Sequence, residues 1–109
     1  MNLIKIIIYS TSSGSEPYSK WEDKLDTKGQ SVVKNRLDRI RLGNFGDAKI
    51  IKGCGEIWEL RINYGPGYRI YFGKAGATVV ILLTGGNKGS QSRDIAKAMK
   101  YWLDYKESK

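Results

Sequence analysis

The stretch IWELRINYGPGYRIYF, residues Ile57–Phe72, contains two alternating segments on either side of a Gly-Pro-Gly turn. Residues 57–64 place large apolar side chains at every second position, and residues 68–72 do the same: Trp58, Leu60 and Ile62, then Tyr68, Ile70 and Phe72. A period of two is typical of a strand with one buried face. The stretch therefore predicts a β-hairpin whose apolar face belongs to the core.

The opposite face of this hairpin carries Arg61, Arg69 and Tyr71. Keeping both apolar sets on one face requires a loop of odd length, such as three residues, which places Arg61 opposite either Arg69 or Tyr71. Like charges side by side in a sheet repel by roughly 0.2–1 kcal/mol per pair. Glu59 shares this face and could form an ion pair, but one carboxylate cannot neutralise several cations. Binding of a phosphate is therefore favoured over a purely structural ion-pair ladder.

The residues before the hairpin predict a strand and two helices. Leu3–Tyr9 is rich in β-branched residues and predicts a buried strand. Ser15, Glu16 and Pro17 form a typical helix start, with Ser15 as the cap. We expect the first helix to end at Gly29 and the second to run from Gln30 to Gly43-Asn44. Apolar residues recur at helical spacing in both: Tyr18, Trp21 and Leu25, then Val33, Leu37 and Ile40.

Further strands and one helix surround the hairpin. Ala48–Lys52 predicts a short strand, Gly73–Gly76 a turn, and residues 78–83 a central strand that is apolar on both faces. Gly85–Gly89 predicts a flexible loop that carries Lys88. Ser90 is expected to cap a last helix whose core residues are Ile95, Met99 and Trp102. The order is β-α-α-β-β-β-β-α, an α+β fold. It is a single domain over residues 1–109, in which a twisted, mainly antiparallel sheet packs with an N-terminal helical hairpin and a C-terminal helix.

The charge of the chain is unevenly distributed. Nineteen Lys and Arg stand against eleven Asp and Glu, giving a net charge of +8 over 109 residues. The first 30 residues are neutral, so residues 31–109 carry the whole surplus. Such a field attracts phosphate backbones, anionic membranes or an acidic protein.

Several kinds of site are excluded or disfavoured by composition. The chain has no histidine and one cysteine, Cys54, which rules out a Cys–His nucleophile and an internal disulfide. The acidic residues show no ligand spacing, so we expect neither a metal nor a cofactor. The glycine-rich loop lacks the spacing of a P-loop. No apolar run approaches the ~20 residues that span a membrane, and no signal peptide is recognised, so a cytoplasmic protein without a membrane partner is expected.

A family resemblance is carried by ELRINYGPGYRIYF and the following VVILLTGGNKGSQSRDIAKA. Both segments resemble RelE/ParE-type toxins, most closely the HigB-like "addiction module killer" group, and RLDRIRLGNFGDAKIIKGCGEIWEL resembles the same group. The similarity runs from about Trp21 to Met99. It implies a RelE-like domain that is neutralised by a cognate antitoxin. The antitoxin is expected to be a helix-turn-helix protein, and the toxin is expected to reach operator DNA only within the toxin–antitoxin complex. It also implies cleavage of mRNA on the ribosome by the RNA's own 2′-hydroxyl, without metal or histidine.

The resemblance also implies roles for individual residues. Arg69 matches the family's phosphate-binding arginine, Lys88 a basic residue that supports the leaving group or transition state, and Arg61 the arginine of the ELR strand. RelE proper has basic residues where this chain has Ile57 and Glu59, and a tyrosine where it has Asp94. The general base and acid are therefore unassigned, with Lys49, Lys52, Glu59 and Tyr71 as candidates. Lys49, Lys52 and Tyr71 are expected to bind RNA.

Three functions remain open on the sequence. The first is a ribosome-dependent mRNA endonuclease, with Arg61, Arg69 and Lys88 as catalytic residues. The second is a ParE-like toxin that inhibits DNA gyrase and has no hydrolytic site. The third is an RNA-binding module without catalytic activity.

Overall fold

A computed structural model describes residues 3–108 of the chain. The elements in chain order are β1 (Lys5–Ile8), α1 (Pro17–Asp23), α2 (Thr27–Arg41), β2 (Ala48–Ile50), β3 (Trp58–Ile62), β4 (Tyr68–Lys74), β5 (Val79–Asn87) and α3 (Gln91–Glu107). One 3₁₀ turn, Lys88–Ser90, joins β5 to α3. The predicted α+β class and element order are confirmed.

The five strands form one mixed sheet in the order β1-β5-β4-β3-β2. Only β1 and β5 are parallel, and the other neighbours are antiparallel. In the β3–β4 hairpin, Arg61 lies opposite Arg69 and Glu59 opposite Tyr71. The residues between the two strands number five rather than three, an odd length that keeps both apolar sets on one face as the alternation required.

Helices cover both faces of the sheet. On one face, α1 and α2 bury a core that includes Tyr18, Val33, Leu37, Ile40, Leu60, Ile62, Ile70 and Phe72. On the other face, α3 packs over Tyr71, Ile81, Leu83, Ala98 and Trp102. None of the helices in the described part of the chain combines the length and apolar character needed to cross a membrane.

The break between the first two helices lies earlier than the glycine suggested. The first helix, α1, ends at Asp23, and Asp26 caps α2 by accepting a hydrogen bond from the Gly29 N–H at 2.7 Å. Gly29 is buried in the first turn of α2, where an added Cβ would lie 2.8 Å from the Tyr68 hydroxyl oxygen. Gly29 therefore provides space for Tyr68 and does not end a helix. The predicted Ser15 cap is also wrong, because Glu16 is the N-cap of α1 and makes no side-chain capping bond.

Three predictions about strands and turns are corrected. The first strand, β1, is an edge strand and only partly buried, with Ile8 37% exposed. Gly73, expected in a turn, lies within β4 under the indole of Trp102. The expected flexible loop begins inside β5, because Gly85 and Gly86 are buried strand residues. The indole of Trp21 packs on Gly85 and the carboxylate of Asp94 packs on Gly86, so a side chain at either position would collide with these groups.

The buried face of α3 also differs from the prediction. Met99 is 40% exposed, and the buried residues of the helix are Asp94, Ala98 and Trp102. Ser90 is the N-cap residue, but its hydroxyl bonds to the Asp94 carboxylate and not to the helix backbone.

Candidate functional site

An open groove of about 400 Å³ lies between the first turns of α3 and strands β2 and β3. It exists because α3 packs mainly on β4 and β5 and leaves the β2 side of that face uncovered. The groove is lined by three basic side chains, one carboxylate, one amide and three apolar side chains: Lys49, Lys52, Arg61, Glu59, Gln91, Ile50, Ile51 and Ile95. The lining is thus predominantly basic around a single acid.

Glu59 is the acid, and it is only 1% exposed. It accepts hydrogen bonds from Arg61 Nε at 3.0 Å, the Tyr71 hydroxyl at 3.1 Å and Gln91 Nε2 at 2.7 Å. Burial raises the pKa of Glu59, but the hydrogen bonds from Arg61, Gln91 and Tyr71 outweigh burial and hold the pKa below its ordinary value. The buried group is therefore a carboxylate at neutral pH.

The two arginines that the sequence placed on one face are direct neighbours across β3 and β4. The side chain of Arg61 is 37% exposed and that of Arg69 is 12% exposed. Arg69 Nε lies 3.9 Å from Glu59 Oε2, an ion-pair distance, and forms no hydrogen bond to any described residue. Both arginines therefore present their Nε edge to Glu59. Neither terminal nitrogen of Arg61 has a hydrogen-bond partner within residues 3–108.

Two of the predicted lysines line the groove, and the third lies in the turn after β5. Lys49 is the cross-strand neighbour of Glu59 and is exposed, and Lys52 follows β2 in the next turn. Lys88 lies beyond Arg69, in the 3₁₀ turn, where its backbone N–H donates to the Gly67 carbonyl at 2.9 Å. A Cβ added at Gly67 would lie 3.7 Å from Lys88 Cβ and 3.8 Å from Arg69 Nη1, so the base of the Lys88 side chain and the Arg69 guanidinium both lie close to Gly67.

Tyr71 has a different environment from the one expected. Its side chain is fully buried, and its hydroxyl donates to Glu59. Burial raises the pKa of Tyr71, and the negative charge of Glu59 raises it further. In this arrangement Tyr71 presents no surface to a ligand, so it supports the groove from beneath rather than contacting RNA.

Sequence reasoning did not identify Gln91 as part of the site. Gln91 is the first residue of α3 and lies 32 positions after Glu59, to which its amide donates. A glutamine in the first turn of a helix is common, so no sequence pattern indicates this contact. Asp94 is buried against Gly86 and bonded to Ser90. Among residues 3–108, no three His, Cys, Asp or Glu side chains cluster closely enough to hold a metal ion.

Comparisons with known proteins identify the family and the fold of the chain. Residues 20–101 match the family described as "Phage derived protein Gp49-like (DUF891)". An "Uncharacterized protein" of Haemophilus influenzae is 39% identical over 82 residues, which cover 74% of this chain and 81% of that protein. The solved structure of a mutant of the E. coli toxin RelE in the free state superposes with a TM-score of 0.66 at 15% sequence identity, covering 90% of this chain and 96% of that one. The fold is therefore that of RelE.

Proposed function

The chain belongs to the Gp49-like family of phage-derived proteins, and on that premise we propose that it is the toxin of a toxin–antitoxin pair and an endonuclease for mRNA on the ribosome. The observation that carries this proposal is the basic groove. Lys49, Lys52 and Arg61 line it around one buried carboxylate, and Arg69 adjoins it beside Lys88. The RelE fold supplies the sheet on which these cations are held.

The arginine pair is suited to a phosphodiester. A guanidinium presents several donors in a rigid plane and can bind two phosphate oxygens at once. Cations held in place before the reaction stabilise developing negative charge without reorganisation, and this is commonly the largest catalytic contribution. We assign the scissile phosphate to Arg61 and Arg69, the developing charge to Lys88, and the neighbouring backbone to Lys49 and Lys52.

The reaction needs only groups of the RNA and the protein. The 2′-hydroxyl oxygen forms a bond to the adjacent phosphorus, the bond from phosphorus to the 5′ oxygen breaks, and a 2′,3′-cyclic phosphate results. One proton leaves the 2′-hydroxyl and one reaches the departing 5′ oxygen, and Lys49 and Lys52 in the groove are the candidates to accept and supply these protons. Glu59 and Tyr71 are poorly suited to move these protons. The hydrogen bonds that Glu59 already accepts favour its charged form, whereas burial and Glu59 favour the protonated form of Tyr71.

A basic groove of this kind also suits an acidic partner. Complementary charge speeds association and disfavours other partners. We assign this role to a cognate antitoxin with a helix-turn-helix domain, through which the pair would reach operator DNA. Because the proposed target is mRNA on translating ribosomes, we assign the activity to the cytoplasm.

The test is cleavage of mRNA in a translating extract. We expect 2′,3′-cyclic or 3′-phosphate ends, and no cut where the ribose at the cleavage position is replaced by deoxyribose. Chelation of metal is a poor control because ribosomes themselves need magnesium. Intact mRNA with reduced gyrase supercoiling would replace this proposal with a ParE-like toxin. Intact mRNA with unaffected gyrase would indicate an RNA-binding module without catalytic activity.

A further inference from the structure

Glu59 lies at a position where a carboxylate is unfavourable for binding an anion. It is buried at the floor of a groove whose other charged groups, Lys49, Lys52 and Arg61, are all cations. Burying a charge is costly unless it is paired and hydrogen-bonded. A negative charge at this point also repels the phosphate that the groove is proposed to bind. A further function of this side chain would account for both disadvantages.

The contacts of Glu59 indicate that function. Its Oε1 accepts from Arg61 Nε at 3.0 Å, while its Oε2 lies 3.9 Å from Arg69 Nε. Since these two arginines are directly opposite each other in the sheet, they would repel and separate without a charge between them. With Nε facing Glu59, the terminal nitrogens of Arg61 stay available for a ligand.

Glu59 is itself held from two other elements. The Gln91 amide of α3 and the Tyr71 hydroxyl of β4 both donate to Oε2, at 2.7 and 3.1 Å. Two neutral donors fix the carboxylate without competing for its charge. Its position is therefore determined by the sheet and by the start of α3 together.

We propose that Glu59 is a positioning residue, which orients Arg61 and Arg69 toward a phosphodiester of RNA. The identity of the anion rests on the proposed function; the orientation of the arginines does not. A purely electrostatic view gives the opposite expectation, because removing a negative charge from a basic groove strengthens the attraction of RNA. The sign of the effect therefore separates the two accounts.

The first experiment compares Glu59→Gln with Glu56→Gln. Both substitutions raise the net charge by one, but Glu56 is exposed and its ion pair is with Lys106 of α3. The probe is a short single-stranded RNA with 2′-O-methyl riboses, which can bind but cannot be cut. We expect Glu59→Gln to weaken binding about tenfold, or about 1.4 kcal/mol, and Glu56→Gln to leave it unchanged or slightly tighter. A folded Glu59→Gln variant that binds as tightly as Glu56→Gln would overturn the proposal.

A second variant covers the case in which Glu59→Gln does not fold. Gln91→Ala removes one bond to Glu59 at a partly exposed position and leaves the net charge unchanged. We expect it to weaken binding of the same RNA about threefold, a loss of roughly 0.7 kcal/mol. Binding equal to that of the wild type would contradict the positioning role of Glu59.

A third measurement does not depend on RNA. In the free protein, the Nε–H resonance of Arg61 should exchange slowly with water because it is bonded to Glu59, and Glu59→Gln should abolish this protection while Glu59→Asp partly retains it. If the wild type binds no RNA but shows this pattern, the proposed function fails and the positioning role stands. Unchanged protection in Glu59→Gln would overturn the positioning role whatever the RNA result.

Discussion

The environment of Arg69 differs from that of an ordinary surface arginine. Its side chain is 12% exposed, and it lies between Glu59 and the point where Lys88 approaches Gly67. Such a side chain has lost most of its hydration before any ligand arrives. A desolvated cation interacts more strongly with an incoming phosphate than one in bulk water.

Replacement of Arg69 by alanine should therefore remove activity with little effect on the fold. The substitution deletes a partly buried stem but also relieves the repulsion with Arg61, so we expect the free energy of unfolding to change by about 1 kcal/mol or less. Cleavage of mRNA should fall at least about a hundredfold, as when one preorganised donor is lost. Growth arrest on induction and thermal melts measure the two effects.

Arg39→Ala is the matched control, because Arg39 is an exposed arginine on α2, against the other face of the sheet. The Arg39→Ala variant should stay toxic. Full toxicity of Arg69→Ala, or loss of toxicity only through unfolding, would contradict the phosphate-binding role of Arg69.

At the scale of elements, the N-terminal helices begin and end at positions other than those that their local sequence signals predict. Ser15 and Gly29 had the residue types of a cap and a helix end, but the structure places the cap of α2 at Asp26 and Gly29 inside α2. Glycine is required at position 29 because the hydroxyl of Tyr68 in β4 leaves no room for a side chain there.

The two cap assignments predict different stabilities. Asp26→Ala removes the acceptor for the Gly29 N–H and should lower the free energy of unfolding by about 1 kcal/mol. Ser15→Ala removes a hydroxyl that caps no helix and should change it by less than about 0.5 kcal/mol. Urea denaturation of the two variants measures both values. The reverse order would restore Ser15 as the capping residue.

At the scale of the whole molecule, the charge surplus lies outside the first 30 residues. Residues 31–109 carry the net charge, and they include β2, β3, β4, β5 and α3. They also include most of α2, which carries Lys34, Arg36, Arg39 and Arg41 and does not line the groove. The field of the protein is therefore shared between the groove on one face of the sheet and the basic residues of α2 on the other.

The basic groove should affect how bacteria tolerate expression of the chain. We expect induction of the chain alone to arrest growth, and co-expression with the product of the adjacent reading frame to restore it, since an acidic partner segment can cover the basic groove. Colony counts with and without the neighbour measure this. Normal growth on strong induction of folded wild-type protein would count heavily against a toxin.

The free energy of unfolding should depend on pH through the ionisation of Glu59. Burial raises its pKa and hydrogen bonds from Arg61, Gln91 and Tyr71 lower it more, so the folded-state pKa lies below the ordinary value of 4.5. The stability that this carboxylate contributes is fully present above its unfolded-state pKa and is lost as the pH falls through the folded-state pKa. The stability advantage of the wild type over Glu59→Gln should therefore shrink on acidification below about pH 4.5. Denaturant midpoints at pH 7 and at pH 3.5–4 test this, and a constant difference would contradict it.

Much of the architecture follows from local periodicity. The alternation in residues 57–72 predicted the hairpin and placed Arg61, Arg69 and Tyr71 on one face, as the register confirms. The helical spacing of Val33, Leu37 and Ile40 likewise identified the buried side of α2. These predictions succeeded because a strand or helix repeats its geometry along the chain, so the pattern of apolar residues carries the information.

Contacts between distant elements could not be predicted in this way. A glycine in a sequence indicates only a missing side chain, and whether this serves a turn or a close approach depends on what packs against it. The side chains that pack against Gly29, Gly73, Gly85 and Gly86 are those of Tyr68, Trp102, Trp21 and Asp94, respectively. The same holds for Glu59, whose charge is read from the sequence but whose burial, bond to Gln91 and position between two arginines arise only when α3 packs on the sheet. Periodicity is a local property of the chain, whereas burial and hydrogen bonding of a side chain are properties of its neighbours in space.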